Sequence, residues 1–181
     1  MSKIQFITGG AASGKTRWAI TYYQACDNVL YLCINEELDK EIADRIEFNN
    51  KKNGIEWEII KDVKNPASHI DRNHKFTILD GLGAYVSREM YAACSNPEEM
   101  TEEQKREIEK NIIDKLIALI DKIKDINGDL LIITIEPGFS VCPEKREQRL
   151  FREILGTVNQ RIANICTDVY LSASGIQFKI K

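Results

Sequence analysis

Apolar runs rich in β-branched residues recur along the chain at Ile4 to Thr8, Val29 to Cys33, Phe76 to Asp80, Leu130 to Thr134 and Val169 to Ser172. They carry almost no polar alternation, which predicts strands covered on both faces. Between them the apolar positions switch to helical spacing. This predicts helices over Lys15 to about Ala25, Glu36 to about Phe48, Leu82 to about Ala93, Thr101 to about Lys124 and Glu147 to about Cys166. Strand and helix alternate throughout, so the pattern predicts an α/β fold: a three-layer sandwich with a mostly parallel sheet. Thr101, with Gln104 three positions on, reads as a capping box, and Ile108, Ile112, Leu116, Leu119 and Ile123 mark the apolar face of the helix it opens. A Ser-Gly turn before Gly175 to Lys181 predicts a terminal hairpin at a sheet edge. Asn53-Gly54, Asn65-Pro66 and Asn127-Gly128 are turn signals.

A length of 181 residues with no internal repeat fits a single domain, residues 1–181. Charge is nearly balanced, with 25 basic and 28 acidic side chains and a net charge of -3, so no general attraction to nucleic acid or anionic lipid follows. No apolar stretch approaches the roughly 20 residues of a membrane span. The start at Met1 runs directly into a strand without a signal-peptide pattern, and the expected location is cytoplasmic. Five scattered cysteines (Cys26, Cys33, Cys94, Cys142 and Cys166) lack metal-ligand spacing and read as free thiols packed like small apolar residues.

The segment Gly9-Gly10-Ala11-Ala12-Ser13-Gly14-Lys15-Thr16 satisfies GxxxxGK[ST], between an apolar strand and a helical pattern. Glycines let the loop adopt angles that a β-carbon resists, and the amides at the helix start form an anion hole. Lys15 is expected to neutralise terminal phosphate oxygens and Thr16 to ligate Mg²⁺. ATP or GTP is the expected substrate. Asp80 ends the strand Phe76 to Asp80 and is the candidate second metal ligand. Glu136, beyond the strand Leu130 to Thr134, is a competing acid with a metal, base or structural role. Both lie at carboxyl ends of strands, where ligands bind in such sheets, and the residues alone do not rank them.

Beyond the loop, the chain resembles the bifunctional adenosylcobinamide kinase and adenosylcobinamide-phosphate guanylyltransferase family of cobalamin biosynthesis. The likeness begins with Ile7-Thr8-Gly9-Gly10-Ala11 and Ser13 to Arg17, and continues through Val29-Leu30-Tyr31, Glu41 to Ile46 and Trp57. In the carboxyl half it rests on Glu136 and Gly138, Val141 to Glu144, Arg149, Phe151-Arg152, Gly156, Val158 to Arg161, Ser174-Gly175-Ile176 and Lys179 to Lys181. The resemblance implies a RecA-like P-loop fold, commonly assembled as a trimer. It also implies two successive reactions. A nucleoside triphosphate phosphorylates the aminopropanol hydroxyl of adenosylcobinamide, then GTP donates GMP to that phosphate through a histidine-bound intermediate.

One departure bears on the chemistry. Where the family carries its guanylylated histidine, shortly after Arg45-Ile46, this chain has Asn49. An amide nitrogen is delocalised into its carbonyl and cannot attack phosphorus as imidazole does. His69 and His74, the only histidines, fall in a polar segment and read as solvated surface residues. The expectation is therefore a retained kinase, with guanylyl transfer lost, rerouted or supplied elsewhere. The family's threonine after the second strand is also absent. Cys33, Ile34 and Asn35 occupy that loop as candidate base or ribose contacts. Arg17, Arg45, Arg149 and Arg152 read first as helix-surface ion pairs and second as candidate charge stabilisers; Trp57, Tyr85 and Phe139 read first as core packing and second as walls of a corrinoid cleft. Two further function classes fit a P-loop: a RecA-like NTPase driving a macromolecular partner, and a catalytically reduced nucleotide-binding regulator. DNA- or RNA-stimulated hydrolysis would mark the first, and failure to turn over cobinamide the second.

Overall fold

The computed structural model describes residues 2–181. Its strands are β1 (Ile4–Gly9), β2 (Val29–Cys33), β3 (Trp57–Ile60), β4 (Phe76–Asp80), β5 (Asp129–Ile133), β6 (Asp168–Ala173) and β7 (Ile176–Lys179). They form one sheet in the order β3-β2-β4-β5-β1-β6-β7, all parallel except β7, which closes an antiparallel hairpin with β6. The helices are α1 (Lys15–Tyr22), α2 (Lys40–Asn53), α3 (Leu82–Ala93), α4 (Glu102–Asp125) and α5 (Arg146–Ile165). This is the expected three-layer α/β sandwich.

The absence of polar alternation in the strands follows from two cores, one on each sheet face. On one side, alternate strand residues such as Phe6, Leu32, Leu79 and Ile132 meet Ile112, Leu116, Ile154 and Val158 of α4 and α5. On the other, Ile7, Tyr31, Ile78 and Leu131 meet Ala19 and Ile20 of α1 and Ile46 of α2. Thr101 and Gln104 make the expected capping box at the start of α4.

Three helix boundaries differ from the sequence expectation, each for a local reason. α1 stops at Tyr22, and the chain turns through Asn28 at a positive φ of 55° before β2. α2 starts four residues late, because the Asp39 carboxylate accepts the amides of Glu41 and Ile42 and so fixes the first turn there. It then runs on to Asn53, and Gly54 at φ 63° serves as its C-terminal cap rather than as a free-standing turn.

Parallel strands send every βα connection of this sheet to one edge. That edge gathers the loops after β1, β2, β4 and β5, and so positions the site.

Candidate active site

At the carboxyl end of β1 the chain passes from Gly9 through an open loop into α1. Gly9 has φ 150°, Ala12 φ 53° and Gly14 φ 93°. Glycine is required at the first position by packing: a Cβ on Gly9 would lie 2.2 Å from the Ser172 carbonyl oxygen. At Gly14 a Cβ would come within 3.2 Å of the Gly175 Cα. The β6–β7 hairpin therefore backs the loop directly. The Ser172 hydroxyl donates to the Ser13 carbonyl at 2.7 Å, and the Gly175 amide donates to the same oxygen at 3.0 Å.

Lys15 opens α1 and is almost fully buried, with its ammonium donating to the carbonyls of Gly9 at 3.0 Å and Gly10 at 2.6 Å. Burial lowers its pKa, and the Asp80 charge works the other way. A lysine ammonium inside a ring of loop backbone is placed to meet phosphate oxygens bound by the same loop. One residue on, the Thr16 hydroxyl donates to an Asp80 carboxylate oxygen at 3.2 Å. The buried Tyr31 hydroxyl, from β2, donates to that same oxygen. Burial pushes the pKa of Asp80 up, while the hydrogen bonds from Tyr31 and Thr16 and the charge of Lys15 pull it down.

Glu136 sits where β5 gives way to the short turn Pro137–Phe139. Its amide donates to the Gly9 carbonyl at 3.1 Å, and one carboxylate oxygen accepts the Gly138 amide at 3.3 Å. The other lies 3.4 Å from the Thr8 hydroxyl. Lys15, Thr16, Asp80 and Glu136 thus stand around one loop on adjacent strand ends. Cys33 ends β2 and Ile34 follows it, both buried, so of that trio only Asn35 presents its side chain to solvent.

Several neighbours of the site lacked a sequence motif. Tyr31 had a signal, since a tyrosine in a strand buried on both faces needs a partner for its hydroxyl. Asn159 had another: it falls on the apolar face of α5 yet is 5 % exposed. There it accepts from the Thr134 hydroxyl at 3.0 Å and donates to the Ile135 carbonyl at 3.0 Å, pinning the strand end that presents Glu136. The supporting role of Ser172 and Gly175 depends on β6 lying beside β1 and had no local signal.

Other candidates fall differently. Arg152 holds the turn after Glu136 through the carbonyls of Gly138 at 3.2 Å and Ser140 at 3.3 Å. Arg149 closes on the carbonyls of Pro143 and Glu144, Arg45 pairs with Glu41 along α2, and Arg17 is exposed. Trp57 and Tyr85 are core residues rather than cleft walls: the Trp57 indole donates to the Cys26 carbonyl, and Tyr85 is fully buried under α4. Phe139 does stand open at the site, 70 % exposed.

Asn49 turns inward from α2, 8 % exposed, and accepts a hydrogen bond from Asn53 Nδ2 at 3.0 Å. Asn53 also donates to the Gln24 carbonyl beyond the end of α1, at the opposite end of that helix from Lys15. His74 precedes β4 at the amino end of the sheet, bracketed by Glu58 and Asp71 at 3.0 Å each. It is therefore paired and largely covered, not a freely solvated side chain. His69 ends a short 3-10 turn, Pro66–His69, that packs on α4, where Lys122 donates to the Ala67 carbonyl.

Residues 5–180 match the family described as "Cobinamide kinase / cobinamide phosphate guanyltransferase". Among curated proteins, the chain is 31% identical over 180 residues to the bifunctional adenosylcobalamin biosynthesis protein CobU of Escherichia coli strain K12, covering 97% of this chain and 98% of the relative. It is 30% identical, with the same coverage, to the protein of that name from Salmonella typhimurium. Among solved structures, a KaiC-like protein from Pyrococcus horikoshii OT3 superposes with TM-score 0.55 at 18% identity, over 93% of this chain and 70% of that one. An ATP synthase subunit, NeqB, from Nanoarcheaum equitans superposes with TM-score 0.59 at 11% identity, over 94% of this chain and 45% of that one. These two likenesses show a shared α/β fold.

Proposed function

This chain belongs to the cobinamide kinase / cobinamide phosphate guanyltransferase family, and from that premise we propose that it phosphorylates adenosylcobinamide with a nucleoside triphosphate in adenosylcobalamin biosynthesis. The observation that carries the reading is the placement of Thr16, Asp80 and Lys15 around a single backbone anion hole, with the Thr16 hydroxyl 3.2 Å from the Asp80 carboxylate.

A hydroxyl and a carboxylate side by side are hard oxygen donors, and among the described residues no larger cluster of His, Cys, Asp and Glu competes for a metal. They suit Mg²⁺, which takes few protein ligands and keeps its remaining positions for water and phosphate. When bound, the ion would neutralise charge on the β and γ oxygens. The loop amides and Lys15 hold the triphosphate in line, and Lys15 shifts its hydrogen bonds from the loop carbonyls to the transferring group. The aminopropanol hydroxyl attacks the γ-phosphorus, the bond to the β-phosphate oxygen breaks, and the nucleoside diphosphate leaves. In this reading Glu136 takes the hydroxyl proton, or orients the hydroxyl, because its carboxylate stands beside Thr8 while its amide is tied to the Gly9 carbonyl at the start of the loop. Most of the catalytic effect comes from positioning and charge neutralisation.

Guanylyl transfer through a covalent intermediate is the half we read as absent. Asn49 has no nucleophilic nitrogen, and its side chain is buried against α2's own last turn. His74 lies before β4 at the amino end of the strands, and His69 ends a turn packed on α4. Incubation with cobinamide, Mg²⁺, and ATP or GTP separately, resolving cobinamide phosphate from the GDP adduct, tests both statements. Cobinamide phosphate alone is expected. Absence of any phosphorylated product sinks the kinase reading, and an acid-labile GMP adduct on this chain sinks the second.

A further inference from the structure

We propose that the bulk of the corrinoid acceptor rests on an apolar shelf formed by the turn after β5, the first half of α5 and Tyr91 of α3. The inference rests on the kinase reading and adds to it the surface that binds the substrate.

The hydroxyl being phosphorylated has to approach the far end of the triphosphate, so the body of the acceptor needs a surface continuous with the outer lip of the phosphate loop. One groove meets that requirement. A recess of about 480 Å³ begins at Gly10 and Ala11, includes Glu136, and is floored by Pro137, Phe139 and Phe151. Across Gln148 and Phe151 it joins a second recess of about 200 Å³ that ends at Tyr91. Phe139 and Tyr91, one in each recess, are 70 % and 49 % exposed, so the groove offers large apolar side chains beside the phosphate loop.

A nucleotide does not account for this surface. A nucleoside triphosphate held by Lys15 and Thr16 leaves its terminal phosphate, not its base, facing Glu136. A corrin ring suits the shelf by its chemistry: a broad macrocycle with a methyl-rich rim fringed by amides. Apolar floor residues would take the rim, with the amide of Gln148 and the hydroxyl of Ser140 within the same lining for the fringe. Arg152 fixes the shelf's outer wall by holding the carbonyls of Gly138 and Ser140.

Equilibrium dialysis with cobinamide, read by its visible absorbance, tests the assignment on the full chain. Phe139→Ala and Tyr91→Ala remove exposed side chains and are expected to fold normally. Each is expected to weaken cobinamide binding by about tenfold, the loss that follows when an aromatic gives up most of its burial, while ATP affinity changes by less than about twofold. Phe178→Ala, which removes an exposed phenylalanine from edge strand β7, is the control and should leave cobinamide binding unchanged. Wild-type protein that binds cobinamide no better than Phe139→Ala and Tyr91→Ala do overturns the shelf and leaves the kinase reading standing. A wild type that binds no cobinamide overturns both. If the substitutions change the oligomeric state and not cobinamide affinity, the shelf belongs to a second copy of the chain and the proposal fails.

Discussion

Burial strips water from the Asp80 carboxylate and raises its pKa, against the pull of Tyr31, Thr16 and Lys15. A raised native pKa means that the folded chain holds a proton the unfolded chain releases. The folding stability it contributes is therefore lost as pH rises from the ordinary carboxylate range through the native value. Asp80→Asn is accordingly expected to raise Tm at neutral pH, with the gain fading below about pH 4, where the wild-type carboxyl is neutral as well. Calorimetry across that range checks the sign, and a lower Tm at pH 7 would contradict it. The same substitution should remove the proposed kinase turnover, because it deletes the charged side chain proposed to hold Mg²⁺. Tyr31→Phe separates the two effects. Loss of a hydrogen bond to a carboxylate costs roughly 1.5–3 kcal/mol, and the Asp80 pKa then rises further. The acid limb of the pH–rate profile should move to higher pH in Tyr31→Phe, with the alkaline limb in place.

Between strands and helices, the site depends on three contacts across the fold: the β6–β7 hairpin behind the phosphate loop, β2 behind Asp80, and α5 behind Glu136. The last is the most open to test. Asn159 satisfies the Thr134 hydroxyl and the Ile135 carbonyl at once, so Asn159→Leu leaves a buried carbonyl without a donor. That costs about 1–3 kcal/mol, or a Tm lower by roughly 2–12 °C for a domain of this size. If the clamp also holds Glu136 in place, kcat should fall while ATP affinity is kept, and Asn159→Gln should not rescue it, since the longer amide overshoots both partners. A drop in Tm with kcat unchanged would reduce Asn159 to a purely structural role.

For the molecule as a whole, ligand binding to the native state alone raises stability by about 2.7 kcal/mol at a hundredfold excess over Kd. Saturating Mg²⁺ and ATP should therefore raise Tm by roughly 5–11 °C, and Lys15→Ala should abolish the shift. An unchanged wild-type Tm would sink the nucleotide site, and every reading built on it. The architecture was legible because its causes are local or periodic: apolar strands without alternation, helical spacing, and GxxxxGK[ST] between the two. Capping at α4 was legible for the same reason, since Thr101 and Gln104 act within one turn. The start of α2 was not, because several acidic and polar residues near Glu36 suited a first turn and only the backbone path set the cap at Asp39. Nor did periodicity distinguish Tyr85 and Trp57 as core residues from walls of a cleft. Sequence by itself determined the layered fold and the family, because each rests on residue types at fixed short spacings. Tertiary structure alone decided that Tyr31 braces Asp80, that Ser172 and Gly175 wall the loop, and that Asn159 anchors the approach to Glu136. Those contacts join residues far apart in the chain, and strand order, which no local pattern encodes, brings them within hydrogen-bonding distance.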